Sequence, residues 1–442
     1  MKNKHIISLI ATALTTSTLF SACEDEPDKY EIADGVPELI YVRTPSNADS
    51  LITSAYTNTM IVLVGNNLRA VKELYFNDQK ATLNTSYMTD HTILVTVPKS
   101  LPETPTDSLY MINKDGVSTA YPFGVDIPAP TLSSMTCEYV KPGDVATING
   151  DYFLSYDSDP LTVTMPDGKV ITDFKSLTQY TISFVVPEGC TEAGAITVTS
   201  KYGSTESTTF NFNDDRGLLF DFDGVTGLSN HGWHNQVIET DETAISGNFL
   251  RLGGTDVTLS AEGGWDDSHF SFEYWPGNWQ DPETYSDPAG IRLTDLVEFT
   301  DYANMAYKFE LYVPSTNQWN AGALQVLPAG VDVVSYGNAN VTDIDGNKLG
   351  GCNNTYISGT VCPRGLYRPW EESGTFDTND QWITVTMPIA NFIYDGNGSQ
   401  ATGKLSAKSF TSLVLFVCNG GITGTECKPV IKIDNVRAVP YK

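Results

Sequence analysis

"IVLVGNNL" at residues 61–68 and "ATINGDYF" at residues 146–153 share one pattern. Each is a short apolar run that stops at a glycine, Gly65 or Gly150, and passes into polar turn residues. Runs rich in Val, Ile and Thr suit a pleated, half-buried strand, and a glycine at the end permits a turn with positive φ. The markers that follow recur in the same order. "ILVTVP" closes at Pro98 and "ISFVVP" at Pro187; then "NKDGVSTAYPF" turns at Gly116 and "SKYGSTESTTF" at Gly203. Proline ends strand pairing because it has no N–H to donate. One copy opens at Pro37 and the other at Pro130. The pattern predicts two small β-sandwiches in tandem, over 37–126 and 127–214.

These markers resemble IPT/TIG domains, which are immunoglobulin-like sandwiches. Neither copy holds a tryptophan or a histidine cluster, so both read as spacers. "FNDDRG" at 212–217 leads into a last region, 216–442, which also alternates short apolar runs with Gly, Asn, Asp and Pro clusters. No amphipathic helical stretch of any length follows residue 24, so the expected class is all-β throughout. The last region has the length of a jelly-roll β-sandwich with elaborate loops. It opens with "LLFDFDG" and closes with "VIKIDNVRAV", first and last strands that resemble those of carbohydrate-binding jelly rolls.

The 442 residues include 26 Lys plus Arg against 54 Asp plus Glu, a formal charge of −28. Such a surface repels phosphate backbones and anionic headgroups, which argues against nucleic-acid binding and leaves a neutral ligand unaffected. The opening "MKNKHIISLIATALTTSTLFSACEDEPD" has a basic start, a short apolar stretch and small residues before Cys23. It is too short to span a bilayer and reads as a signal peptide over 1–22. Small residues directly before a cysteine resemble the bacterial lipobox, although Phe20 stands where Leu is usual. That resemblance implies a diacylated Cys23; ordinary cleavage beside a chance cysteine is the alternative. The acidic linker, 23–36, begins with a run that resembles the surface-export signal of Bacteroidota lipoproteins. Of the six remaining cysteines, Cys352/Cys362 and Cys418/Cys427 are local pairs that an oxidising compartment permits to cross-link. Small buried thiols are the alternative for these, as for Cys137 and Cys190.

All seven tryptophans lie in 216–442: Trp233, Trp265, Trp275, Trp279, Trp319, Trp370 and Trp382. Alternation along a strand sends successive side chains to opposite faces. In "HFSFEYWPGNWQ", 269–280, it places Phe270, Phe272 and Tyr274 inward and Trp275 outward with Ser271 and Glu273; Trp279 follows on the Pro276–Gly277 turn. In "AYKFELYV", 306–313, Tyr307, Phe309, Leu311 and Val313 pack inward, while Lys308, Glu310 and Tyr312 point away. Trp382 starts a strand and reads as a cap on the core edge. Trp319 falls in step with Gln325, and Trp370 with Tyr367 occupies the loop "GLYRPWEESG". Aromatic faces stack on the C–H side of a pyranose while amides and carboxylates bond its hydroxyls. Asn278, Gln280, Asn317, Gln318, Asn320, Glu371 and Glu372 supply that second kind. The candidate glycan platform is therefore Trp275, Trp279, Trp319, Tyr367 and Trp370.

A lipobox, an acidic export run, tandem IPT/TIG-like spacers and a Trp-rich last domain containing "YRPWEE" and "FDTNDQWITVTMPIANF" together resemble surface glycan-binding proteins of the SGBP-B type. The resemblance implies a non-catalytic, monomeric outer-membrane lipoprotein at the cell surface. It would capture a plant or fungal polysaccharide, a xyloglucan or other β-glucan, for a SusC/SusD-like transporter. The alternatives are a jelly-roll glycoside hydrolase or lyase and a protein-binding adhesin. Hydrolysis needs two facing carboxylates, and no ExDxxE run, HExxH or GxSxG is present, so no catalytic residue is assigned. His231 and His234 in "NHGWHN" read as turn residues. No cofactor is expected; Asp221, Asp223 and Asp434 are the candidates for a structural calcium, with solvated strand-end acids as the alternative.

Overall fold

The computed structural model describes residues 30–228, 236–276, 290–331 and 359–441, with the backbone of 341–342 and 348–349. The chain is all-β apart from short helical turns, and it divides into two compact units, one ending at Pro128 and the other beginning at Ala129.

The first unit is a sandwich. One sheet runs in the order Leu51–Ile52, Glu38–Arg43, Met60–Asn66, Thr92–Thr96; the other runs Gln79–Lys80, Val71–Phe76, Ser108–Asn113, Ser118–Pro122. Alternate residues Ile61 and Leu63 meet Leu74, Phe76, Leu109 and Met111 in its core, all at most 1% exposed. The second sandwich, at the start of the second unit, repeats the plan. Thr131–Met135, Val145–Asp151, Thr181–Val185 and Ser176–Leu177 face Val170–Ile171, Thr162–Thr164, Thr197–Ser200 and Gly203–Glu206.

The repeated glycines work differently from the turn expectation. Gly116 and Gly203 do take positive φ, 81° and 134°. Gly65 and Gly150 instead lie within strands, opposite register shifts between Leu39 and Tyr41 and between Leu132 and Ser134. A Cβ on Gly65 would stand 2.0 Å from the Glu38 carbonyl oxygen, and one on Gly150 1.9 Å from that of Thr131. Both are therefore glycines of close backbone approach at a bulge.

The last region is a larger sandwich with ten strands relevant to the site: β1 (Leu218–Phe220), β2 (Val237–Glu239), β3 (Phe249–Gly253), β4 (Ser271–Tyr274), β5 (Met305–Tyr312), β6 (Ala323–Ala329), β7 (Gly365–Tyr367), β8 (Ile383–Pro388), β9 (Ser412–Cys418) and β10 (Val430–Pro440). One sheet has the order β2-β3-β10-β5-β8, with β1 also on β10, and the other has β4-β9-β6-β7. All these pairings are antiparallel. The first and last strands pair as their sequences suggest, Leu218 opposite Arg437 and Phe220 opposite Val436.

Alternation in "AYKFELYV" holds, since Tyr307, Phe309, Leu311 and Val313 join the core. The opposite face is not wet, however: Lys308, Glu310 and Tyr312 are 1%, 0% and 6% exposed. The second sandwich covers part of this face. Lys308 Nζ donates to Glu138 Oε1 at 2.5 Å and to the Thr209 carbonyl at 2.7 Å. Arg437 donates to Glu138 Oε2 at 2.7 Å and to both Glu310 oxygens at 2.7 and 3.0 Å. Thr384 Oγ1 accepts from the Glu138 backbone N–H and donates to Glu310. Burial alone would lower the Arg437 pKa, but Glu310 and Glu138 hold it above its ordinary value. Buried charge is tolerated when it is paired and hydrogen-bonded in this way.

Candidate functional site

The structure moves the candidate platform. Trp275 is 0% exposed, not outward. Ser271 and Glu273, on the face expected to be wet, are 1% and 0% exposed, so every position of β4 is covered. Strand alternation separates two faces but does not say that either is solvated. Trp319 is also 0% exposed: its Nε1–H donates to the Ala321 carbonyl at 2.6 Å, and its ring packs against Tyr367 and Phe376. Trp370, although in a loop, is 2% exposed and donates from Nε1 to the Gly322 carbonyl at 2.8 Å. A buried indole needs such a partner, and the 319–322 turn supplies one for each of these two rings. Trp275, Trp319 and Trp370 therefore belong to the core and present no free face to a ligand. Tyr367 is half-buried, and Trp279 lies outside the described residues. Trp382 caps the core edge as read, its Nε1–H donating to the Thr243 carbonyl at 2.6 Å.

Among the described residues the exposed tryptophan is Trp265, at 46%. It sits in "EGGWDD", 262–267, in an irregular segment just before the short helix Asp267–Phe270 rather than on a strand. Its ring stands edge-on to Phe416 of β9, with centroids 4.6 Å apart and planes at 85°. Phe416 shares a register position with Ser271 and Gln325, so it lies on the outer face of the β4-β9-β6-β7 sheet. Trp265 thus borders a groove of about 330 Å³ on that face, lined also by Glu262, Gln325, Asn397, Cys418 and Asn419.

The floor of the groove is rigid. Gln325, 1% exposed, donates from Nε2 to the carbonyls of Gly396 and Cys418 at 3.1 and 3.0 Å. Its Oε1 accepts from Arg364 Nη1 at 2.7 Å. Its amide is thereby committed to holding the 395–398 segment against β9. At the rim, Asn419 Nδ2 donates to Asn397 Oδ1 at 2.8 Å, leaving the Asn397 amide N–H groups directed elsewhere. Burial pushes the Cys418 thiol up to about 12, so it stays neutral. Cys418 and Cys427 are both free thiols, the second of the two alternatives for that pair. Cys352 lies outside the described residues, and so does its pairing with Cys362.

Among the described residues, the lining of the groove holds no facing pair of carboxylates. Glu262 is the one carboxylate among its lining residues. Glu273 is bonded by Ser271 and Gln236 on the outer face of one sheet, and Glu310 by Arg437 on the outer face of the other. Paired carboxylates of a glycosidase must face each other across one cleft. The calcium candidates are likewise occupied within the protein. Asp221 accepts from the backbone N–H groups of Asp223, Gly224 and Val225; Asp223 accepts from Asn248; Asp434 accepts from Asn435 and Ser246. Among the described residues no cluster of three or more His, Cys, Asp or Glu forms a metal site. Cys23, His231 and His234 lie outside the described residues. Among those described, no helix is long and apolar enough to cross a membrane.

Residues 212–440 match the family model for the surface glycan-binding protein B xyloglucan binding domain. The chain belongs to the surface glycan-binding protein B family. Family membership makes it a glycan-binding protein, not an enzyme. The crystal structure of surface glycan-binding protein PbSGBP-B from Prevotella bryantii is similar over 93% of this chain and 100% of that one, at 41% identity and a TM-score of 0.82. An IPT/TIG domain-containing protein of Bacteroides ovatus is 28% identical over 253 residues, 53% of this chain and 48% of that protein. The chain thus spans about half the length of that curated relative. Sequence reasoning found the family and the domain that binds, but it missed Trp265. The available signal was its setting: a tryptophan after Gly263-Gly264 and before two aspartates has no strand to carry it into a core.

Proposed function

We propose that this protein captures a xyloglucan or a related β-glucan at the cell surface, with Trp265 as the stacking residue of the site. The carrying observation is Trp265 itself, exposed at a groove whose other polar walls are mainly amides. An indole face offers the C–H side of a pyranose a surface to pack on, and Asn397 and Asn419 offer its hydroxyls donors and acceptors. No lysine or arginine lines the groove, which favours a neutral sugar over a uronate or a sulfated one. The match of 212–440 to a xyloglucan binding domain supports that ligand class.

In the same reading Cys23 is lipidated, the protein is anchored in the outer membrane, and the bound polysaccharide passes to a SusC/SusD-like transporter. The two IPT/TIG-like sandwiches hold the site away from the membrane. Affinity gels containing xyloglucan, mixed-linkage glucan, xylan or mannan test the ligand. Retardation by a β-glucan, lost in Trp265→Ala, is expected; equal migration of wild type in every gel would sink the reading.

A further inference from the structure

We propose that the edge of the last sandwich carries a second sugar subsite, built from Tyr367, Tyr394 and Asn391, which takes an uncharged pyranose of the same glycan that Trp265 holds. It rests on the Trp265 groove being a glycan site.

A cavity of about 330 Å³ opens between β7 and β8, the edge strands of the two sheets. That is near the lower limit for small-ligand sites, roughly 300 Å³, and admits a sugar unit rather than a long segment. Its chemistry has two halves. Ile393, 47% exposed, and Phe392 give an apolar wall. The hydroxyls of Tyr367 and Tyr394 and the amide of Asn391 form no hydrogen bond with another described residue, so they remain available to a ligand. Burial pushes the Tyr367 phenol up to about 12, which keeps it able both to donate and to accept. No Asp, Glu, Lys or Arg lines this cavity. A ligand that is apolar on its ring faces, hydroxylated at its edge and uncharged meets every one of these conditions.

One segment joins the edge cavity to the groove. Asn391, Phe392, Ile393 and Tyr394 line the first, while Gly396 and Asn397 line the second. From Tyr394 to Asn397 the backbone reaches at most about 11 Å, so a glycan of several units can touch both. The wall between them is fixed in place. Tyr394 exchanges backbone hydrogen bonds with Arg364 at 2.9 and 3.3 Å. The Arg364 side chain holds Gln325 in the groove floor, and Asp395 accepts from the Asn397 and Ser399 N–H groups.

The test is a chain-length series. Calorimetry would measure the full chain with cello-oligosaccharides of increasing length and with polymeric xyloglucan. Wild-type affinity should climb with length. The Asn391→Ala/Tyr394→Ala variant should match wild type on short ligands and lose at least about fivefold on the longest, the worth of one or more hydrogen bonds. Trp265→Ala should weaken binding at every length. Tyr394→Phe with Tyr367→Phe, which removes hydroxyls and keeps volume, should show the same length-selective loss if the alanine pair unfolds. A wild type without length dependence, or edge variants equal to wild type at every length, overturns the subsite. An unaffected Trp265→Ala overturns the groove reading instead.

Discussion

Glu138 Oε2 and Arg437 Nη2 lie 2.7 Å apart across 299 residues of sequence, and neither side chain is more than 2% exposed. With Lys308 and Glu310 they make a balanced quartet of two acids and two bases between the second sandwich and the last one. Replacing Glu138 by Ala leaves Lys308 and Arg437 in excess in a dry place, where breaking a buried pair costs about 3–5 kcal/mol. Chemical denaturation should show a loss of that size in the unit beginning at Ala129. A loss below about 1 kcal/mol would mean that water reaches the quartet.

Trp265 and Trp275 should behave as opposites. Trp265→Ala removes a stacking face and should cost about 1–3 kcal/mol of glycan affinity, by analogy with base stacking on aromatic rings, with little change in melting temperature. Trp275→Ala empties a core position and should cost about 3–5 kcal/mol of stability. Calorimetric binding and thermal melts on both proteins check the pair; reversed effects would return Trp275 to the platform.

Asp434 is 0% exposed, and its carboxyl is pushed up to about 8 from 3.8, chiefly by burial. A folded pKa above the unfolded one means that the folded state holds its proton more tightly. The stability it contributes is full below pH 3.8 and declines as pH rises towards about 8. Melting curves across that window should fall less steeply for Asp434→Asn than for wild type. Parallel curves would show that Asp434 is already ionised in the fold.

Gly150→Ala should destabilise the second sandwich, and Gly65→Ala the first. The added Cβ would meet a carbonyl oxygen of the neighbouring strand at 1.9 or 2.0 Å, and backbone cannot swing aside as a flexible side chain can. Thermal melts should drop for both, whereas Gly116→Ala, which meets nothing within 4 Å, suffers only the strain of its positive φ.

Strand content, the tandem repeat and the inward residues of β5 were legible because a period of two and fixed turn markers are local properties. The solvation of the other face was not legible. Lys308 and Glu310 read as wet because charge is normally exposed, yet Glu138 of the neighbouring sandwich pairs with Lys308, and Arg437, from far along the chain, pairs with Glu310. Trp319 read as spare because it falls in step with Gln325, and Trp370 because it sits in a loop. The carbonyls of Ala321 and Gly322 that satisfy their indoles appear only once the 319–322 turn is folded. Trp265 had no periodic pattern around it, and that absence was itself the clue.

The quartet also bears on how the glycan-binding module can be moved between proteins. A graft cut after Asp214 would carry Lys308 and Arg437 away from Glu138 and leave Glu310 as the one acid facing two bases. A cut before Ala129 keeps all four together, so the transplantable piece is two sandwiches long.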